Sequence, residues 1–88
     1  MMPIRTIIVD DEPLAVAELA TLLKLHPEIE VSATADRVES AVPAIRELAP
    51  DLVFLDINMP GKNGFELLEE LDSAPLVIFV TAYDEYAI

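Results

Sequence analysis

The stretch DLVFLDINMP, residues 51–60, decides the fold of this 88-residue chain. Its apolar residues 52–55 show no polar alternation, which indicates a strand that is covered on both faces of a sheet. The run ends abruptly at Asp56, and a loop with turn-forming residues follows at Met59-Pro60. A strand of this kind predicts a parallel sheet between layers of helices, with Asp56 at the carboxyl edge of the sheet.

Three other runs read as strands. Residues 6–9 form an apolar, β-branched run that ends at Asp10, and residues 76–80 predict a fourth buried strand that ends at Thr81. Residues 29–35 are more polar, which favours a strand at the edge of the sheet. With helix-period segments between the strands, the order βαβαβαβ predicts an α/β fold with a doubly wound parallel sheet of four strands and about three helices.

The helix-period segments differ in character. Residues 14–25 follow the start signal Asp11-Glu12-Pro13 and are apolar on nearly every side, which predicts packing against more than one neighbour. In the second segment, Asp36 and Glu39 have the spacing of a capping box. Pro43 then requires a helix that begins late, near Ser40, or one that is kinked. The third helix is short, with three inward residues: Leu67, Leu68 and Leu71.

The composition limits the possible functions. The net charge is −12, from 17 acidic and 5 basic residues, which argues against direct binding of nucleic acid through a basic face. The chain has no cysteine, which excludes disulfides, thiolate metal sites and a catalytic thiol and fits a cytoplasmic setting. No apolar stretch approaches the roughly 20 residues that span a membrane.

Oxygen-bearing residues follow three of the predicted strands. Asp10 with Asp11, Asp56 and Thr81 stand at these ends, and parallel strands bring their ends to one edge of the sheet. Carboxylates gathered there would repel one another unless a divalent cation neutralised them, and all-oxygen ligands favour Mg²⁺. A carboxylate beside Mg²⁺ can act as a nucleophile toward a phosphoryl group, to which the Thr81 hydroxyl could donate a hydrogen bond.

Each of these residues also has a purely structural explanation. Acidic residues before a helix commonly cap it, Asp56 could cap a loop, and Thr81 has ordinary β-propensity. The joint placement of these residues at three strand ends favours the functional interpretation. His26 is predicted to be a surface residue, and two tyrosines are predicted to pack: Tyr83 and Tyr86.

Several segments resemble the receiver domains of bacterial two-component response regulators. They are IVDDEP at residues 8–13, DLVFLDINMP at residues 51–60, Gly64 and VTA at residues 80–82, and the resemblance runs the length of the chain. The ending TAYDEYAI, residues 81–88, resembles the subgroup whose receivers precede a LytTR-type DNA-binding domain. The resemblance implies a flavodoxin-like topology with sheet order 2-1-3-4-5.

The resemblance also implies roles for individual residues. Asp56 would accept a phosphoryl group from a sensor histidine kinase or a small acyl phosphate. Asp10 and Asp11 would hold Mg²⁺, and the main-chain carbonyl of Asn58 would complete the protein ligands. Thr81 would move toward the phosphoryl group and Tyr83 would repack, as in a shift between two packings. The chain would then be a phosphoacceptor regulatory domain rather than an enzyme.

The sequence departs from the family pattern in its extent. Receiver domains have five strands and five helices, so residues 1–88 correspond to the N-terminal portion, without the lysine at the end of the fifth strand. Lys62 lies in the loop after the third strand, and nothing in the sequence indicates that it substitutes. The resemblance also implies an output domain, which we expect to lie outside residues 1–88. The uncovered edge of the fourth strand predicts a homodimer or a higher oligomer.

Three other functions remain open at this stage. The chain could be an interaction module that associates without phosphotransfer, which a measurement of Mg²⁺ affinity would distinguish. An aspartyl phosphohydrolase would carry a second carboxylate two residues after the nucleophile, where this sequence has Asn58. A nucleotide binder shares the architecture, but with only Gly61 and Gly64 the sequence has no glycine-rich phosphate loop.

Overall fold

The computed structural model describes residues 2–57, 59, 64–71 and 75–80. The elements follow the chain as β1 (Ile4–Val9), α1 (Pro13–Leu23), β2 (Ile29–Ala35), α2 (Val38–Leu48), β3 (Leu52–Asp56), α3 (Gly64–Glu70) and β4 (Leu76–Val80). All strand pairs are parallel, in the order β2-β1-β3-β4. The predicted doubly wound α/β sheet is confirmed, and the polar strand β2 lies at the edge as predicted.

Strand register brings the ends of β1 and β3 together. In this pair Ile7 lies opposite Val53 and Val9 lies opposite Leu55. The next residues, Asp10 and Asp56, therefore reach the carboxyl edge of the sheet side by side. All five residues of β3 are buried, as its unbroken apolar run predicted.

The two faces of the sheet have separate cores. One core packs α2 and α3 against the sheet, and its buried members include Ile7, Val9, Val38, Ala41, Ile45, Val53, Leu55 and Leu67. The other core lies under α1, and its buried members are Ile8, Leu23, Leu52 and Phe54. Alternation along β1 and β3 explains the division, because successive side chains of a strand point to opposite faces.

The start of α2 differs from the sequence prediction. The helix begins at Val38, not near Ser40, and Arg37 is its N-cap residue, with no side-chain capping hydrogen bond. The predicted capping box is wrong, because the Asp36 carboxylate accepts hydrogen bonds from Arg37 Nε and Ser40 Oγ, both at 3.3 Å. Pro43 lies inside the helix on its exposed side. The free energy gained by burying the opposite, apolar stripe of α2 offsets the loss of the hydrogen bond that proline cannot donate.

Two predictions of burial are also wrong for the described residues. Only Leu23 of α1 is buried, while Leu14 and Leu22 are 76% and 59% exposed, so α1 packs with one face rather than several. The strand β4 was predicted to be buried, yet Leu76 and Ile78 are 70% and 43% exposed. These side chains are exposed because β4 is the last strand of the described sheet and pairs only with β3.

Ala49 ends α2 in a left-handed conformation and offers a test of the helix terminus. Its φ is 44° and its ψ is 61°, and its N–H donates to Ile45 O at 2.9 Å. Because glycine adopts this conformation without the Cβ penalty, Ala49→Gly should stabilise the chain by about 1 kcal/mol in urea unfolding. Ala17→Gly, at an exposed position inside α1, is the matched control and should cost about 1 kcal/mol. A destabilised Ala49→Gly would contradict the prediction.

Candidate metal centre

Asp10 lies at the end of β1, where the backbone fixes its position. Its N–H donates to Ala35 O at 3.0 Å and so extends the pairing with β2 by one residue. Its carboxylate Oδ1 accepts a hydrogen bond from the N–H of Glu12 at 2.9 Å. Asp11 follows directly, and α1 begins at Pro13, so both carboxylates stand between a strand end and a helix start.

Asp56 approaches the same edge from the neighbouring strand. It is the last residue of β3, lies opposite Val80 of β4, and is 8% exposed. Among the described residues, no buried side-chain nitrogen or oxygen atom lacks a hydrogen-bond partner, so the polar atoms of this region are accommodated. Asp56 is thus a buried carboxylate at the end of a fully buried strand.

The three carboxylates form one cluster. Asp10, Asp11 and Asp56 each offer an oxygen atom, and these oxygens all lie within 4.8 Å of one another. Two like charges about 4 Å apart near a protein surface repel by about 4 kcal/mol. A divalent cation among the oxygens would replace that repulsion by attraction. The structure therefore brings together the carboxylates that the sequence analysis placed at one edge.

The chemistry of the donors fits Mg²⁺. All three are hard carboxylate oxygens, with no histidine or cysteine in the cluster, and Mg²⁺ uses a few carboxylates together with retained waters. Asp10 and Asp11 are half-buried, so water can reach the cluster from their side. The other predicted site residues, Asn58, Thr81 and Tyr83, lie outside the described residues, as does Lys62.

A cavity of about 360 Å³ adjoins the cluster on the side of β2. Its lining residues are Asp10, Pro13, Val16, Thr34, Ala35, Asp36 and Ser40. The Arg37 guanidinium, through its hydrogen bond and its charge, holds the pKa of Asp36 below its usual value. Sequence reasoning missed this cavity, although the polar ending Thr34-Ala35-Asp36 of the second strand was its available signal.

Comparison with known proteins gives the family. Residues 6–88 match the family described as "Response regulator receiver domain". The chain belongs to this receiver family. This receiver chain is 45% identical over 87 residues to the sensory transduction protein LytT of Enterococcus faecalis, covering 96% of the chain and 36% of LytT. It is 44% identical over 87 residues to the transcriptional regulatory protein BtsR of Salmonella typhi, covering 97% of the chain and 36% of BtsR.

Solved structures give the same fold. The signal receiver domain of NarL from Mycobacterium tuberculosis superposes with a TM-score of 0.85 at 28% identity, covering 99% of this chain and 73% of that one. The response regulator domain of Thermotoga maritima CheB superposes with a TM-score of 0.83 at 33% identity, covering 97% of this chain and 65% of the CheB domain chain. The flavodoxin-like receiver topology is therefore confirmed for the four strands and three helices described.

The receiver chain spans 36% of the length of these curated relatives. The family assignment therefore applies to the receiver region alone. None of the described helices combines the length and the apolarity needed to cross a membrane.

Proposed function

We propose that this receiver chain is a Mg²⁺-dependent phosphoacceptor that takes a phosphoryl group on Asp56 from a sensor histidine kinase. The observation that carries the proposal is the cluster of three carboxylates at the ends of adjacent strands, with the buried Asp56 among them. An interaction module without phosphotransfer does not require this cluster. Residues 1–88 are in this proposal the N-terminal portion of a receiver domain.

The chain's own residues divide the chemistry among them. Asp10 is suited to hold an ion rather than to react, because a backbone N–H already fixes its Oδ1. Asp56 is the more buried carboxylate, and removal from water leaves its oxygen less hydrated and more able to attack phosphorus. Attack by an Asp56 oxygen forms a phosphorus–oxygen bond and breaks the phosphorus–nitrogen bond of a phosphohistidine, whose imidazole leaves.

Mg²⁺ would be held by Asp10, Asp11, Asp56 and the main-chain carbonyl of Asn58. When bound, it supplies positive charge that offsets the carboxylates and the phosphoryl oxygens. Thr81 would donate a hydrogen bond to the phosphoryl group, and Tyr83 would repack in response. These two residues would convert phosphorylation into a shift between two packings, which is a regulatory rather than an enzymatic role.

The partners follow from the same proposal. The phosphodonor is a histidine kinase, and the output is a domain of a longer protein that binds DNA, as the name transcriptional regulatory protein of the Salmonella typhi relative supports. The net charge of −12 makes this chain itself unsuited to contact DNA. With a DNA-binding output, the protein would act in the cytoplasm. We also infer that the 88-residue chain forms a homodimer or oligomer through β4.

Magnesium titration tests the proposed function. Asp11→Asn should lower Mg²⁺ affinity about tenfold, or about 1.4 kcal/mol, because it removes one charge from the cluster. Isothermal titration calorimetry at fixed ionic strength measures the change. Glu18→Gln, at an exposed position of α1, removes the same charge away from the cluster and should leave the affinity unchanged. Equal affinities for Asp11→Asn and the wild-type chain would rule out the assigned ion site.

A further inference from the structure

Gly64 stands at the start of α3, against the strand end that carries Asp56. The glycine is buried, and its N–H donates to Ile57 O at 3.4 Å. It therefore touches the chain immediately after Asp56, although it stands eight positions later in the sequence. Neither the sheet nor the acidic cluster explains why this position should be a glycine.

The space around Gly64 is too small for a side chain. A Cβ atom there would lie 2.9 Å from Asp56 O, 3.1 Å from Leu55 Cγ and 3.3 Å from Ile57 Cα. Ordinary van der Waals contact begins at 3.4 Å, and two of the three obstructing atoms belong to the backbone. The φ of Gly64 is outside the left-handed range, so the close approach, and not the backbone conformation, requires glycine.

An added methyl group at Gly64 could be admitted by movement of the interior of β3, at Leu55, or of its end, at Asp56 and Ile57. Leu55 is completely buried, and its strand is paired on both sides, with β1 and with β4. Movement of the strand interior would disturb both pairings and the core. Asp56 follows Leu55, the last residue of β3 that pairs with β1, and keeps a register partner only in β4, at Val80, so the strand end is held on one side where the interior is held on two. A methyl group at Gly64 would therefore push on the residue that carries the carboxylate of the cluster.

We propose that Gly64 is a positioning residue, whose lack of a side chain places the Asp56 carboxylate for Mg²⁺ in preference to Ca²⁺. The inference rests on the proposed function. Mg²⁺ requires near-octahedral geometry with short bonds of about 2.0–2.1 Å, whereas Ca²⁺ accepts flexible geometry at about 2.3–2.6 Å. A displacement of a few tenths of an ångström at Asp56 should therefore lower the affinity for Mg²⁺ far more than the affinity for Ca²⁺.

The experiment compares both ions in Gly64→Ala and in the wild-type chain by calorimetric titration. Mg²⁺ affinity should fall about 5–10-fold while Ca²⁺ affinity changes less than about twofold, because only Mg²⁺ demands strict geometry. Ile45→Val is the matched control, since it perturbs the same core on α2 without touching the cluster, and it should change neither affinity. Urea unfolding of all three proteins monitors the fold.

The outcomes separate this inference from the proposed function. A wild-type chain that binds no Mg²⁺ refutes the proposed function itself. If the wild-type chain binds Mg²⁺ and Gly64→Ala shows unchanged affinities, or a proportional loss of both, the positioning role is refuted. Where Gly64→Ala is partly unfolded, the titrations are repeated in sucrose, which favours the compact state. Failure to fold there also refutes the inference, because the glycine would then serve the fold alone.

Discussion

Asp56→Asn is expected to abolish phosphorylation of the chain by a small acyl phosphate. The asparagine amide occupies nearly the same space but has no carboxylate oxygen to attack phosphorus. Loss of a nucleophile costs far more than loss of a supporting group, so labelling should fall to at most about one-hundredth of the wild-type rate. Intact-mass spectrometry after incubation with acetyl phosphate and Mg²⁺ measures the labelled fraction.

The other two carboxylates of the cluster are not expected to replace Asp56. The Oδ1 of Asp10 accepts a backbone hydrogen bond, and Asp11 is less buried than Asp56. Asp36→Asn is the control variant, because it removes the same charge at an exposed position beside the neighbouring cavity. Its labelling should match that of the wild-type chain. Full labelling of Asp56→Asn would move the nucleophile to another residue.

The meeting of Asp10 with Asp56 could be predicted because it depends on topology alone. Unbroken apolar runs indicated parallel strands, and parallel strands end at the same edge of a sheet. The observed register, with Val9 opposite Leu55, adds only the detail that the two aspartates are direct neighbours. The position of β2 at the edge was equally predictable, because its polar residues could not be covered on both faces.

Features that depend on three-dimensional neighbours could not be predicted. The apolar sequence of β4 indicates a strand that favours burial, but it does not reveal whether another element lies over it. Asp36 had the right spacing for a capping box, yet its carboxylate is engaged by Arg37 and Ser40 instead. The closeness of Gly64 to Asp56 arises only when α3 packs on the sheet, so the sequence alone does not explain why this position is a glycine.

The exposed surface of β4 leads to the second large prediction. Leu76 and Ile78 lie opposite Leu52 and Phe54, so they extend the core under α1 beyond its covered part. On the other face, Phe79 is 42% exposed and lies 5.2 Å from the ring of Phe65. The β4 surface, defined by Leu76, Ile78 and Phe79, thus presents apolar side chains on both sides of the last described strand.

We expect this surface to pair with a second copy of the chain. An outer strand with exposed apolar side chains is a template for edge-to-edge pairing, and two identical strands can pair about a twofold axis. Burial contributes roughly 25 cal/mol per Å², so an interface of ordinary size can offset the cost of association. The charge of −12 opposes the pairing, but salt screens charges beyond about 8 Å.

Sedimentation equilibrium at micromolar concentration in physiological salt should therefore show a dimer of the 88-residue chain. Ile78→Glu should raise the dissociation constant at least about 100-fold, or about 2.7 kcal/mol, because pairing would bury an unpaired charge. Leu22→Glu is the matched control, since it introduces the same charge at a 59% exposed leucine of α1 and should leave the dimer intact. A folded wild-type chain at monomer mass over the whole concentration range would contradict the predicted pairing, as would equal dissociation by both variants.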